Sequence, residues 1–164
     1  TRVVEAEGDG LIIMSVYVPN GGKDYVAKLM FLEAMALHVR ERLATGHELL
    51  VCGDMNVTRT DQDVHPRERK PNAIGQRPDE RMLFERVIAQ GLVDLARHFD
   101  PENDQLFTWW PPWRQMRERN IGWRLDYILT SPEMARRATS CVVLKDVGTS
   151  DHAPVVAVFD LAPD

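Results

Sequence analysis

Gly148-Thr149-Ser150-Asp151-His152-Ala153-Pro154-Val155 sets an acid beside a histidine, just ahead of an apolar run. Val51-Cys52-Gly53-Asp54-Met55-Asn56 closes another apolar run, and Trp123-Arg124-Leu125-Asp126-Tyr127-Ile128 carries a third carboxylate in a strand-like stretch. Carboxylate oxygens at strand ends suit a hard divalent cation, and an imidazole can trade a proton near neutral pH. The chemistry these residue types support together is metal-assisted hydrolysis of a phosphate ester.

Each group also has a plainer reading. Asp54 and Asn56 are two apart, and side chains at i and i+2 of extended chain share a face, so both oxygens can converge on one ligand. Gly-Asp-x-Asn is equally sound β-turn chemistry. Asp151 and His152 form either a proton-and-metal pair or a helix cap or surface pair. Asp126 lies among apolar neighbours, where an unpaired carboxylate is costly. It either meets a charged partner, with His152 the candidate, or faces water on an edge strand. Trp109, Trp110 and Trp113 lie near Arg114, Arg117 and Arg119, and aromatic faces beside guanidinium groups suit bases and phosphates. At least one of Trp109 and Trp110 is expected in the core. His38, His47 and His98 have no partners at ligand spacing and read as surface or helix residues.

The elements that must position these groups are those of one domain. At 164 residues, 44% apolar and 27% charged, the chain can bury a core, and its composition is that of an ordinary globular protein. A net charge of −5 gives no global attraction for nucleic acid, so a DNA-binding reading rests on local basic segments. Cys52 and Cys141 fit no zinc spacing and no disulfide framework. No stretch approaches the roughly 20 apolar residues of a membrane span and no signal-type sequence opens the chain, so a cytoplasmic location without a membrane partner is expected.

Strands are expected over 3–5 and 11–18, joined by Gly8-Asp9-Gly10, and a helix follows on the spacing of Tyr25, Leu29, Leu32, Ala36, Val39 and Leu43. A buried strand fits 48–52, and a second helix fits 79–89. Residues 57–80 are polar and proline-punctuated, which marks a segment either functional or disordered. Strands fit 106–110, 124–129, 141–144 and 155–159, with a short helix over 132–137. Strands interleaved with helices indicate a mixed α/β domain.

Taken in order, these motifs resemble the exonuclease III branch of the endonuclease/exonuclease/phosphatase superfamily. Tyr17-Val18-Pro19-Asn20-Gly21 is similar to the family's tyrosine loop, Gly53-Asp54-Met55-Asn56 to its Gly-Asp-x-Asn motif, and Phe107-Thr108-Trp109-Trp110 to its aromatic DNA-facing strand. Gly122-Trp123-Arg124-Leu125-Asp126-Tyr127 and Ser150-Asp151-His152-Ala153-Pro154-Val155 match its last two signatures. The resemblance implies a two-sheet sandwich flanked by helices, and Mg²⁺-dependent hydrolysis (Mn²⁺ as the substitute) of double-stranded DNA by abasic-site cleavage and 3′-to-5′ trimming.

By the same resemblance Asp54 orients or deprotonates the attacking water, Asn56 positions phosphate or metal, and Asp151 binds the metal. His152 stabilises the developing charge with Asp126 holding it. Tyr17 and Asn20 contact the scissile phosphate, Trp109 or Trp110 presses on the deoxyribose, and Arg114 contacts DNA. The family's opening strand with its metal-proximal asparagine, and the strand carrying its glutamate ligand, have no counterpart in residues 1–10. Residues 1–164 are therefore expected to form the C-terminal part of the family's domain, with little activity alone and an exposed apolar face that could pair two copies. Two alternatives remain open on sequence: another phosphoesterase of the superfamily, acting on phosphoinositides, sphingomyelin or RNA, and a non-catalytic fragment that binds DNA or a partner.

Overall fold

The computed structural model describes residues 2–160. The chain opens with the hairpin β1 (Val3–Gly8) and β2 (Leu11–Tyr17). Asp9 and Gly10, with φ of 50° and 75°, form the two-residue turn whose twist matches antiparallel strands. Helix α1 (Tyr25–Ala44) starts at Asp24, whose carboxylate accepts from Ala27 N, and crosses over to β3 (Glu48–Asp54), parallel to β2. Two short 3-10 turns, Asp61–Asp63 and Pro66–Glu68, give residues 57–77 an ordered path to α2 (Pro78–Ile88). β4 (Val93–Asp94), α3 (Leu95–Phe99), β5 (Asp126–Thr130), α4 (Pro132–Arg137), β6 (Ala138–Val143) and β7 (Val155–Phe159) follow.

Strands order as β1-β2-β3-β5-β4 in a five-stranded sheet, with β6-β7 as a second sheet. Alternation along the central strands divides the core. Met14 and Val16 of β2, Leu49 and Val51 of β3, and Tyr127 and Leu129 of β5 face the helices with Leu32, Val39 and Phe84. Leu50, Cys52 and Ile128 face the other way and pack with Val155, Ala157 and Phe159 of the second sheet. This is the expected sandwich, five strands against two.

Two expectations need correction. Residues 106–110 form no strand. Trp109 makes only isolated bridges, to Trp123 and to His152, because this segment bonds to loops on both sides rather than to a continuous neighbour. The helix expected on the 25–43 spacing is α1, with Leu32 and Val39 buried and Leu29, Ala36 and Leu43 half-buried against the core; Lys28 and Met35 join the buried stripe. An apolar count could not place a lysine on the inner face. Trp110 is 1% exposed, within a cluster with Phe107, Met116, Ile121 and Ala153, so its indole cannot press on DNA.

Candidate active site

Strand register assembles the acidic centre. Tyr17 of β2 pairs with Asp54 of β3, and Asp54 pairs with Asp126 of β5, so the three stand in a row across one end of the sheet. Gly53 makes the approach possible: its φ is 131°, and a Cβ there would lie 2.0 Å from the Val16 carbonyl oxygen. Asp54 is mostly buried and faces Asp126, and these two causes, burial first, push its carboxyl up to about 6.

Asn56 turns the chain at the strand end with φ of 51°, an unusual value for a residue other than glycine. Its backbone N–H donates to Asp54 Oδ1 at 2.8 Å. Its side-chain amide donates to Asp54 Oδ2 and to the Val18 carbonyl, both at 2.9 Å, and accepts from Asn20 at 3.2 Å. Beneath it Lys28, fully buried, donates to the Asn56 carbonyl at 2.7 Å and pairs with the equally buried Glu80. Burial lowers the Lys28 pKa more than Glu80 raises it. Glu80 also accepts from Gly75 N at 2.5 Å and Arg77 N at 3.0 Å.

Asp126 is held from behind, where the Thr108 hydroxyl accepts from Leu125 N and Asp126 N at 2.9 and 3.0 Å. In front, Asp126 Oδ2 lies 2.8 Å from His152 Nδ1. That bond raises the imidazole pKa against the opposing effect of burial. His152 is delivered by the bridge to Trp109 and by Ala153 N donating to the Thr108 carbonyl at 2.8 Å. Asp151 accepts from the Trp109 indole at 3.0 Å, which lowers its pKa and keeps it ionised.

Tyr17, Asn20, Asp54, Asn56, Trp109 and His152 line a single cleft of about 250 Å³, closed by Ile74, Gly75, Trp123 and Leu125. An apolar groove of about 640 Å³ between α1 and the first hairpin is larger, but it lacks this convergence of carboxylates, amides and imidazole, so the smaller cleft is the candidate site. The cleft pairs an acid-backed imidazole, able to donate to an anionic oxygen, with an amide-clamped carboxylate able to orient water. Two indoles, edge to face at 5.5 Å, form an apolar wall beside it.

The structure therefore brings together Tyr17, Asn20, Asp54, Asn56, Asp126, His152 and Trp109, with Asp151 tied to the rim by Trp109. Arg114 stands apart, exposed on the Trp110–Asn120 segment with φ of 53°. For a metal, Asp54, Asn56 and Asp151 offer oxygen donors. Yet among the described residues no three His, Cys, Asp or Glu side chains gather as a metal-holding group. These residues alone do not make a complete site for a hard cation. Sequence reasoning missed Trp123 as a wall of the cleft, Thr108 and the Lys28–Glu80 pair. Gly75 hints at Trp123, since a Cβ there would meet its ring at 2.9 Å. The others carry no spacing signal, because their partners are distant in the chain.

Residues 2–152 match the model of a family described as the endonuclease/exonuclease/phosphatase family. An exodeoxyribonuclease of Bacillus subtilis is 31% identical over 98% of this chain, which spans 64% of that relative. An AP endonuclease from Archaeoglobus fulgidus superposes with a TM-score of 0.89 at 30% identity, covering 98% of this chain and 65% of its own. A 3′ phosphatase from Neisseria, solved bound to a product DNA hairpin, gives 0.90 at 32% identity, covering 97% of this chain and 65% of its own. The chain thus spans a little under two thirds of the length of these relatives.

Proposed function

This chain belongs to the endonuclease/exonuclease/phosphatase family, and from that premise we propose that it is the C-terminal part of a DNA-repair phosphodiesterase domain. The reaction is hydrolysis of double-stranded DNA, 5′ to abasic sites and from 3′ ends, assisted by Mg²⁺ (Mn²⁺ as substitute) in the cytoplasm. The observation that carries the reading is the Asp126–His152 pair, hydrogen-bonded at 2.8 Å, in one cleft with Asp54, Asn56 and the indoles of Trp109 and Trp123. A charged imidazole at that place donates to a phosphate oxygen, and Asp126 fixes which ring nitrogen faces the substrate. Asp54, already clamped by Asn56, orients the attacking water. Tyr17 and Asn20 lie on the cleft's rim, where the scissile phosphate enters, and Trp109 offers its face to the exposed sugar. Exposed Arg114 contacts the DNA backbone. The cation would sit among Asp54, Asn56 and Asp151 and supply charge neutralisation at the phosphate, with further ligands from outside the described residues.

No described helix is long and apolar enough to cross a membrane. β7 pairs with β6 alone among the described strands, and Val142, Val156 and Val158 expose 46%, 37% and 51% of their surface on the outer face of that sheet. In isolation the chain covers this face by pairing with a second copy.

The functional test compares a labelled duplex containing one abasic site with a phosphoinositide, each with Mg²⁺ and the protein from its natural reading frame. Nicking of the duplex that is lost in Asp54→Asn and His152→Ala is expected. Release of phosphate from the lipid, with the duplex left intact, would overturn the reading.

A further inference from the structure

We propose that Arg117 is a positioning residue: its guanidinium clamps the loop that carries Asp151 and His152 and thereby sets both against the cleft. This rests on the preceding reading only in that Asp151 and His152 belong to that cleft.

The loop runs from the end of β6 at Val143 to Asp151, and it has little to hold it. Within it, Val147 N donates to the Leu144 carbonyl at 3.0 Å and His152 N to the Ser150 hydroxyl at 3.1 Å. At its start Leu144 N reaches the Pro154 carbonyl at 2.9 Å. Residues 144–151 are otherwise exposed, so their carbonyls would turn to water. Arg117 enters from the segment that follows Trp110. Its Nε donates to the Lys145 carbonyl at 2.8 Å, Nη2 to Val147 at 2.8 Å and Nη1 to Ser150 at 2.5 Å. The His152 carbonyl lies 3.5 Å from the same Nη1. The guanidinium carbon sits 5.0 Å from the ring centre of Trp110, whose own N–H donates to the Asp151 carbonyl at 3.0 Å.

One planar group therefore gathers three carbonyls spread over six residues and stacks on Trp110, whose backbone N–H fixes the next one. A guanidinium presents five donors in a rigid fork, so it can span such a fan. An ammonium is a compact point charge and cannot. The geometry does more than hold a loop, because Asp151 meets Trp109 just beyond the last clamped carbonyl. If residues 145–150 drift, the Asp151 contact to the Trp109 indole is lost, and His152 shifts with the chain on its other side.

The test is ¹H–¹⁵N NMR of the chain itself, with Arg117→Met, which keeps the stem, and Arg117→Lys, which keeps the charge. In both variants the amides of Val147 and His152, whose acceptors lie in this loop, are expected to exchange at least about tenfold faster than in the parent. The Trp109 indole N–H resonance should also move away from its hydrogen-bonded position while that of Trp123 stays. A role confined to global stability would speed exchange everywhere and leave the Trp109 signal in the folded state unmoved. Unchanged loop exchange and an unchanged Trp109 indole in either folded variant would overturn the proposal. So would unfolding of both variants, since Arg117 would then hold the fold rather than the loop. No nuclease assay enters, so failure of the DNA-hydrolysis reading and failure of this one are separate results.

Discussion

Replacing Lys28 by methionine removes a buried positive charge while keeping most of its apolar stem. Lys28 and Glu80 are both fully buried, so the variant leaves a carboxylate in the interior without its cation. Breaking a buried pair by deleting one member costs about 3–5 kcal/mol. Glu80 retains the backbone donors of Gly75 and Arg77, which places the expectation near the lower end, about 3 kcal/mol. For a domain of this size each kcal/mol moves Tm by about 2–4 °C, so Lys28→Met should melt about 6–12 °C lower. The double variant Lys28→Met/Glu80→Gln carries no buried charge and should regain at least half of the loss. Scanning calorimetry at pH 7 in metal-free buffer measures both. A single variant melting within about 2 °C of the parent, or a double variant no better than the single, would refute a buried-charge cost at Glu80. Recovery of stability does not restore the donor to the Asn56 carbonyl. Asn56, at φ of 51°, should therefore show shifted amide resonances in both variants.

Asp54→Asn should stabilise the fold at pH 8. With its carboxyl pushed up to about 6, the folded chain holds a proton that the unfolded chain loses above about pH 4. Stability therefore falls as pH rises through that window, by about 1–3 kcal/mol once partial exposure is allowed for. An equal Tm for parent and variant at pH 8 would contradict this. Asp126→Asn should lower the His152 midpoint in an NMR titration, since the Asp126 hydrogen bond is what raises it. The stabilisation from that bond is complete below about pH 6.5 and disappears as pH rises through the folded value, so parent and variant should converge in Tm at alkaline pH. Calorimetric titration should find Mg²⁺ binding to the 164-residue chain weaker than about 1 mM, with no cleavage of abasic duplex, because charge count sets the affinity of oxygen sites. Tight binding would show the ligand set to be complete. Sedimentation velocity should report a dimer that Val158→Lys returns to monomer, and a parent chain monomeric at all concentrations would remove the proposed pairing face.

Much of the architecture was legible because it is local. Alternating and continuous apolar runs located β2, β3, β5 and β7, Gly8-Asp9-Gly10 located the hairpin turn, and Pro132 marked a helix start. Residues 106–110 misled because an aromatic, β-branched run looks the same whether its hydrogen bonds go to a strand or to loops. In the structure Thr108 and Trp109 bond to Trp123, and Trp110 bonds to Asp151. The two short elements β4 and α3 were not foreseen, since five or fewer residues carry too little periodicity.

The sequence by itself determined the chemistry available: which carboxylates, amides and imidazole stand at strand ends, and in what order. It could name His152 as a partner for Asp126, because an acid among apolar neighbours requires one. Tertiary structure decided which of these groups meet. Strand register set Tyr17, Asp54 and Asp126 in one row, and burial there, with the neighbouring Asp126 charge second, is what moves the Asp54 pKa. It also sent one of two adjacent tryptophans into the core and the other into the cleft. The inward lysine of α1 and the carbonyl contacts of Arg117 on the loop before His152 are decided there as well. Each depends on partners 28 to 52 residues away for Lys28, and 28 to 35 for Arg117. Sequence patterning reports the periodicity of neighbours, and it holds no record of which distant carbonyl or carboxylate a long side chain will find.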